Sequence, residues 1–592
     1  MIKWIDILLK NFWAVINHCG NISQKFQIGR GARQGDPVAS YIFIICIEIL
    51  AIKLRSDHEI EGFQMNNITH LLELYADDCS IFLESTDMNL RKSLDILNAF
   101  FRISGLKISI LKTKAVWFGS GHGNTHRLCP DLTLDWDTRF KLLGINFTNN
   151  LEGMEDNFDA KVEEIRKTFN CWIHRTLTIY GKIVIIKTLA LSKLSHLATV
   201  LPSLNKNQIK KLETLIFQFL WGNKPDKVSR EHTKLTEKAG GLGVPDVSSF
   251  WLSLKFSWFR RAINTNAFWP NILVNDVNKI LNTTVPLTDI LQFGPNFLAL
   301  IGKKIKNTFW KQIFSNVTPF MQGAIFCHPE NISIAPIWDN PLFTRNNKLL
   351  KSTEYPNLCK KIKTASDFCR PHTGIFFSKV ELEDRFDINL SEENYIELKY
   401  IIRVACRKLG LVDNFSVSTT HPHQPLLIKI ATMVKKGCNV YYKFLRKHVN
   451  LGTTLAVREG RWHNELDCIF GANYWNKIYS LTAGIKNENK MKYLQFQINR
   501  NSLFTNYKVN KFKNHISPNC TFCELAGVDQ PALELVSHVF YTCEFVLNIW
   551  VEVKNWLRLL NIDLPLDKNV LIFGCQDQGS NSVLNYVILC VK

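Results

Sequence analysis

The hydrophobic pattern of the first 150 residues switches between the strand and helix periods. Leu71–Tyr75 (LLELY) and Cys79–Glu84 (CSIFLE) are short β-prone runs on either side of Ala76, Asp77 and Asp78, which predicts a hairpin with its strands anchored in a sheet. Val38–Ile52 (VASYIFIICIEILAI) is the longest apolar stretch read along the chain. It carries Glu48 and is too short for a membrane span, so it predicts a buried helix. A helix from Asn89 to about Ile103 ends at Ser104 and Gly105, and KTKAVWFG (Lys112–Gly119) and FKLLGINF (Phe140–Phe147) supply further strands. The pattern is that of an α+β fold.

Beyond about Asn157 the period becomes helical through VEEIRKTFNCWI, KIVIIKTLALSKL and QIKKLETLIFQFLW, with Lys and Arg crowding the polar positions. The Gly and Pro cluster AGGLGVPD (Ala239–Asp246) then precedes an aromatic helix, FWLSLKFSWF, whose Trp251 and Trp258 read as core. These shifts divide the chain into residues 1–150, a helical region at 151–265, a mixed and mainly helical connector at 266–489, and a last unit at 490–592. A length of 592 residues exceeds what one core organises. With 72 Lys and Arg against 52 Asp and Glu, the formal charge is +20 and long-range attraction favours polyanions. The opening MIKWIDILLKNFWAVI is broken by Asp6 and Lys10 and does not read as a secretory signal, and the 16 scattered cysteines read as reduced thiols, some of them metal ligands.

Two constellations carry chemistry. Asp77 and Asp78 are neighbouring carboxylates whose mutual repulsion is tolerable where divalent cations are bound, and hard oxygen ligands suit Mg2+. Upstream, Arg30–Pro37 (RGARQGDP) enters a helix, with Gly31 and Gly35 permitting close backbone approach and Arg33 offering a phosphate contact. Near the other end, Cys520 and Cys523 form a Cys-x2-Cys hook, followed by His538 and Cys543 in a His-x4-Cys pair. This set suits a closed, structural Zn2+ site. Lys508, Lys511 and Lys513 lie just ahead of it, placed to be presented to RNA or DNA.

The order RQGDP, YADD, ISGLKISILKTK (Ile103–Lys114) and FKLLGI (Phe140–Ile145) resembles the palm of a reverse transcriptase of the non-LTR, long-interspersed-element retrotransposon type. The resemblance covers about residues 1–260 and 490–556 and includes FLWGNK (Phe219–Lys224) and Trp550. It implies a partial palm, a helical thumb and a terminal zinc-knuckle module. By resemblance, Asp77 and Asp78 bind the catalytic metals, while Tyr75 packs beside the nucleotide and primer end. Arg33, Gln34, Gly35, Asp36 and Pro37 pack against template and incoming nucleotide, and Lys112 helps protonate the leaving pyrophosphate. Phe140, Leu143 and Gly144 form the primer grip, with Leu142 in place of a usual aromatic. The thumb lysines and arginines Lys161, Arg166, Lys167, Arg175, Lys182, Lys187, Lys193, Lys210 and Lys211 track the nucleic-acid backbone.

The implied activity is RNA-directed DNA synthesis, copying RNA into DNA from a DNA 3′ end by two-metal nucleotidyl transfer. Its partners are an RNA template, a DNA primer, deoxynucleoside triphosphates and an element-encoded RNA-binding protein. The expected location is the nucleus or cytoplasm, as a ribonucleoprotein, without membrane. In the family a further aspartate precedes the RQGDP loop. Asp6 lacks its surrounding pattern, so the chain is expected to be N-terminally truncated and inactive in isolation. The alternative is a catalytically inactive nucleic-acid-binding remnant of such an element. A group II intron maturase or telomerase-like polymerase fits the zinc quartet and FLWGNK less well.

Overall fold

The computed structural model describes the chain outside residues 1–2, 4, 7–9, 11–12, 30, 32–34, 66–67, 266, 282–286, 291–294, 317–336, 339–342, 346–347, 351–353, 371–374, 409–436, 448–461, 486–487 and 577–580. It divides into two compact units, Met1–Asn157 and Phe158–Lys592.

The first unit is α+β, but its strands differ from expectation: among the described residues they form two-stranded pairs and not one sheet. The hairpin Leu72–Tyr75/Asp78–Ile81 is therefore anchored by helices. Its Leu72 is buried with Leu50, Ala51, Leu54, Ile60 and Ile96, while Leu74 and Ile81 pack at the margin of the same core. One of these helices, Asp87–Ser104, starts where Thr86 Oγ1 accepts from Asn89 N at 3.2 Å and stops where Gly105 turns left-handed at φ 75°. The buried Asn89 amide also accepts from Glu61 N at 3.1 Å and donates to Glu84 O at 3.2 Å, tying the helix to the strand ends.

The other helix, Ala39–Ser56, corrects the reading of Val38–Ile52 as buried. Leu50, Ala51 and Leu54 are buried, yet Tyr41, Ile44, Ile45, Ile49 and Ile52 are 56–70% exposed. An all-round apolar run predicts burial on every side, but within this unit the core covers one stripe only.

The second unit is helical. Glu155–Ile173, Ile179–Val200 and Lys206–Trp221 meet around Ile165, Phe169, Ile186, Leu194, Ile216 and Phe219, with Phe169 stacked on Phe219 at 4.3 Å. Asn205 and Gln208 form a reciprocal capping box at the start of the last helix, and Gly222, at φ 64°, ends it. Ile179–Val200 is a longer apolar helix than Val38–Ile52. By length and composition it could cross a membrane, but Ile183, Ile186, Ala190, Leu194 and Leu197 bury one side of it in this core.

The glycine cluster packs and caps. A Cβ on Gly241 would collide with Leu235 O, and Gly240, at φ 75°, offers its carbonyl to Arg500 Nε at 2.8 Å. Lys492 Nζ meets Glu237 at 2.8 Å beside it. Farther on, Phe256, Phe259, Leu273, Ile313 and Tyr441 share one core, and Ile337, Phe368, Leu398 and Ile402 share another. Trp462 and Trp475 are buried with Ile498, Val536, Phe540 and Phe573, so the boundary expected at 490 falls inside a core.

Candidate functional site

The register of the acidic hairpin pairs Leu72 with Ile81, Glu73 with Ser80, Leu74 with Cys79 and Tyr75 with Asp78, leaving Ala76 and Asp77 as a two-residue tip. Alternation buries Leu72 and lifts Tyr75, Asp77 and Asp78 into solvent; Tyr75 is 68% exposed. Ala76 adopts φ 53°, a left-handed conformation that costs an L-residue about 1–2 kcal/mol. The tip thus holds two neighbouring carboxylates on a strained turn above a packed base, an arrangement that offers hard oxygens to a cation in solvent. Among the described residues no third Asp, Glu, His or Cys joins them within ligand distance of a common point.

Of the loop before the long helix, Arg33 and Gln34 lie outside the described residues. Gly35 is left-handed at φ 89°, and Asp36 Oδ1 accepts from Val38 N at 2.8 Å, so this carboxylate also serves the start of helix Ala39–Ser56, with Pro37 between them. Lys112 is exposed in the short turn Ile110–Lys112, and no hydrogen bond or ion pair links it to the hairpin among the described residues. Its neighbour Lys114 is structural, pairing with Asp137 at 2.5 Å and Asp135 at 3.6 Å.

Phe140, Leu143 and Gly144 come together as a second hairpin. Arg139–Leu142 pairs with Ile145–Thr148, and the turn places Leu143 at φ 47° and Gly144 at φ 83°. Two successive left-handed residues match the twist of a tight hairpin. Phe140 stacks on its cross-strand partner Phe147 at 5.5 Å and meets Phe118 edge-on at 5.5 Å, so it supports the turn from which Leu143 projects.

The helical region contains an open cleft of about 410 Å³ lined by Arg166, Asn207, Lys210, Lys211, Thr214, Leu215 and Gln218. The nine cations expected to track a backbone divide into two groups. Lys182 Nζ is spent on the carbonyls of Phe219 (3.1 Å) and Leu220 (3.4 Å), and Lys193 Nζ donates to Thr168 Oγ1 at 2.9 Å. Lys161 pairs with Glu164 at 2.7 Å, Arg166 with Glu163 at 3.2 Å and Lys211 with Asp159 at 2.5 Å, all near the surface. Arg175 lies 4.5 Å from the Trp172 ring, while Lys167, Lys187 and Lys210 are exposed.

Cys520, Cys523, His538 and Cys543 converge, all buried, with their ligand atoms within 4.8 Å of one another. Cys520 opens the short helix Thr521–Leu525, which carries Cys523. His538–Thr542 is a single wide π turn, and its five-residue reach returns Cys543 N to His538 O at 3.1 Å. Cys523 Sγ lies 3.5 Å from His538 Nε2 and 4.0 Å from Cys543 Sγ. Tetrahedral zinc bonds of about 2.3 Å to sulfur and about 2.0 Å to nitrogen would set edges of about 3.5 Å (S to N) and about 3.8 Å (S to S), so the quartet fits zinc in donor chemistry and in these two separations. His538 Nδ1 lies 3.0 Å from Thr542 Oγ1, a hydrogen-bond partner that would orient the ring when Nε2 holds a metal and that ligand spacing alone does not reveal. Burial, then the adjacent Cys520 and Cys543, push the Cys523 thiol up to about 11, and burial lowers the His538 imidazole. A bound cation would offset the cost of ionising such packed thiols.

The family model described as reverse transcriptase (RNA-dependent DNA polymerase) matches residues 2–147, the segment that holds both hairpins except the last residue of the second. Two Pol polyproteins of R2 retrotransposable elements are similar to the chain. That of the type-2 element R2DM from Drosophila melanogaster is 26% identical over 280 residues, covering 44% of this chain and 25% of the relative. That of the type-1 element R2 from Popillia japonica is 26% identical over 139 residues, covering 22% and 23%. An uncharacterized mitochondrial protein of Arabidopsis thaliana is 43% identical over 58 residues, covering 9% of this chain and 46% of the relative. The chain spans about a quarter of the length of the two Pol polyproteins.

Proposed function

We propose that the chain, whose residues 2–147 match the reverse transcriptase family model and which is similar to R2 Pol polyproteins, is the polymerase portion of a non-LTR retrotransposon, copying RNA into DNA from a DNA 3′ end. The observation that carries this is the placement of Asp77 and Asp78 at the exposed tip of an anchored hairpin inside the matched domain. Asp77 and Asp78 would hold Mg2+ there. Bound magnesium supplies charge neutralisation at the transferring phosphate and alignment of the attacking 3′-hydroxyl. Tyr75, beside them and exposed, presents a ring to the nucleotide and primer end. Leu143 and Gly144 form the turn that grips the primer strand, stiffened by the Phe140–Phe147 stack. Arg33, Gln34 and Gly35 contact template and nucleotide, and Lys112 delivers a proton to pyrophosphate. The cleft at Arg166 and Lys210 tracks the backbone.

Cys520, Cys523, His538 and Cys543 would hold Zn2+ as a closed structural site with no open coordination position. The partners are an RNA template, a DNA primer, deoxynucleoside triphosphates and an element-encoded RNA-binding protein, in a ribonucleoprotein of the nucleus or cytoplasm. A second reading, a nucleic-acid-binding remnant without catalysis, is favoured by one observation: no third ligand joins Asp77 and Asp78 among the described residues. Primer extension on an RNA template with magnesium separates the two. Incorporation that Asp77→Ala abolishes supports the polymerase, and RNA binding without incorporation supports the remnant.

A further inference from the structure

Between the helical core and the zinc-ligand hook the chain makes a protruding tip. The short helix Asn506–Asn510 leads into Lys511, Phe512, Lys513, Asn514 and His515, all exposed, with Phe512 78% exposed. An aromatic side chain left this bare loses the burial that usually justifies its area. The tip is nonetheless built firmly. Asn506 Nδ2 donates to Asn519 O at 3.1 Å and to Thr521 Oγ1 at 2.9 Å, while Asn506 N donates to Glu534 at 2.7 Å. Asn510 Nδ2 reaches Ile516 O at 2.8 Å, closing the tip on itself. Lys511 Nζ sits 4.5 Å from the Tyr507 ring, which anchors the lysine that precedes Phe512. Lys508 is spent at the base of the tip, on Asn501 O and Oδ1 at 2.6 Å each, so Lys511 and Lys513 are the cations that flank the exposed ring. No Asp or Glu occurs between Glu488 and Glu524, which leaves the tip in a stretch of positive charge alone.

A bare aromatic ring between two lysines, on a rigid stem and without acidic neighbours in sequence, has the chemistry of an unpaired nucleotide's partner. The base stacks on the ring while the flanking phosphates meet the ammonium groups. A single projecting ring offers little to a protein, whose interface needs a broad contiguous patch. A duplex keeps its bases stacked and unavailable. We infer that the Lys511-Phe512-Lys513 tip is a single-strand binding element, with Phe512 stacking on one unpaired base of RNA or DNA. The inference rests on the nucleic-acid reading of this chain and adds a site and a strand preference to it.

The test uses the full chain, fluorescence anisotropy with 12-nucleotide single strands and the corresponding duplex, and a 2-aminopurine base to report stacking. Phe512→Ala should weaken single-strand binding by roughly 5- to 150-fold, the range of one lost base–aromatic stack, and abolish the 2-aminopurine quench, with duplex binding unchanged. Phe512→Tyr should restore both, whereas Phe512→Leu should not, since it keeps apolar contact without a stacking face. Lys513→Ala should lower the slope of log affinity against log salt by about 0.7. Zinc content equal to the parent's shows that each variant folds. If the parent binds single strands and Phe512→Ala binds them equally, or if single strand and duplex weaken together, the inference is overturned while the nucleic-acid reading stands. If the parent binds neither strand form, that reading falls with it.

Discussion

The acidic hairpin and the cysteine–histidine quartet, the two constellations proposed to ligate metal, are built on opposite principles. The quartet is buried and local: its four ligands fall within residues 520–543, the Cys523–His538 and Cys523–Cys543 separations suit a tetrahedral ion, and Thr542 Oγ1 lies within hydrogen-bond reach of the histidine ring. The hairpin is exposed and open, with two carboxylates, a strained Ala76 and hydrophobic support only beneath the strands. A structural ion demands closure, because it gives back folding energy only when every ligand position is filled. A catalytic ion demands the reverse, since substrate oxygens must enter its coordination sphere. The contrast is therefore what a structural site and a polymerase site would each require.

The largest expected effect would break the quartet. Cys543→Ser should take bound zinc from about one ion per chain to none, with the loss of an apparent binding free energy on the order of 10 kcal/mol. Metal analysis and limited proteolysis across residues 500–560 would check this, and zinc retained at parental content would contradict closure. Next comes the packing around the quartet. Trp550 is buried and donates from Nε1 to Phe540 O at 2.9 Å, so Trp550→Ala should cost about 3–5 kcal/mol by urea denaturation even with zinc saturated. A silent substitution would mean that the ion alone holds the region. On the catalytic side, Arg166→Ala and Lys210→Ala should each reduce the salt slope of duplex binding by about 0.9, read from affinities at several ionic strengths. The smallest effect sharpens the hairpin: Ala76→Gly should stabilise it by about 0.5–1 kcal/mol by relieving the left-handed turn, seen as slower hydrogen exchange across Leu72–Ile81.

Features governed by neighbours in sequence were legible from the residues alone. Gly105 ends a helix as expected, although Thr86 caps its start at Asp87 and not at the expected Asn89; the paired runs around Ala76 and Asp77 form a hairpin, and Cys-x2-Cys with His-x4-Cys converge. Features that depend on distant partners were not. Lys182, Lys193 and Lys508 look in sequence like Lys210 or Lys511, yet three of them serve internal carbonyls and hydroxyls, because nothing local distinguishes a lysine facing solvent from one facing a helix end. The helix Ala39–Ser56 is apolar all round and still exposes Tyr41, Ile45 and Ile49, since its composition says how much it could bury and not what is there to cover it. The expectation that the hairpin is anchored in a sheet gave way to helical support among the described residues for the same reason: strand pairing beyond a hairpin is a long-range property.

The most direct test of the contrast between the two sites is primer extension on an RNA template with magnesium, run on the unchanged chain and on Asp77→Asn, with zinc measured in both. On the polymerase reading, against the expectation that the isolated chain is inactive, the result is incorporation by the unchanged chain, a loss of about a hundred- to a thousandfold in Asp77→Asn as an electrostatic catalytic contact is removed, and one zinc per chain in each. Incorporation undiminished in Asp77→Asn, or none by the unchanged chain while it still binds RNA, would contradict the assignment of the hairpin as a working polymerase site.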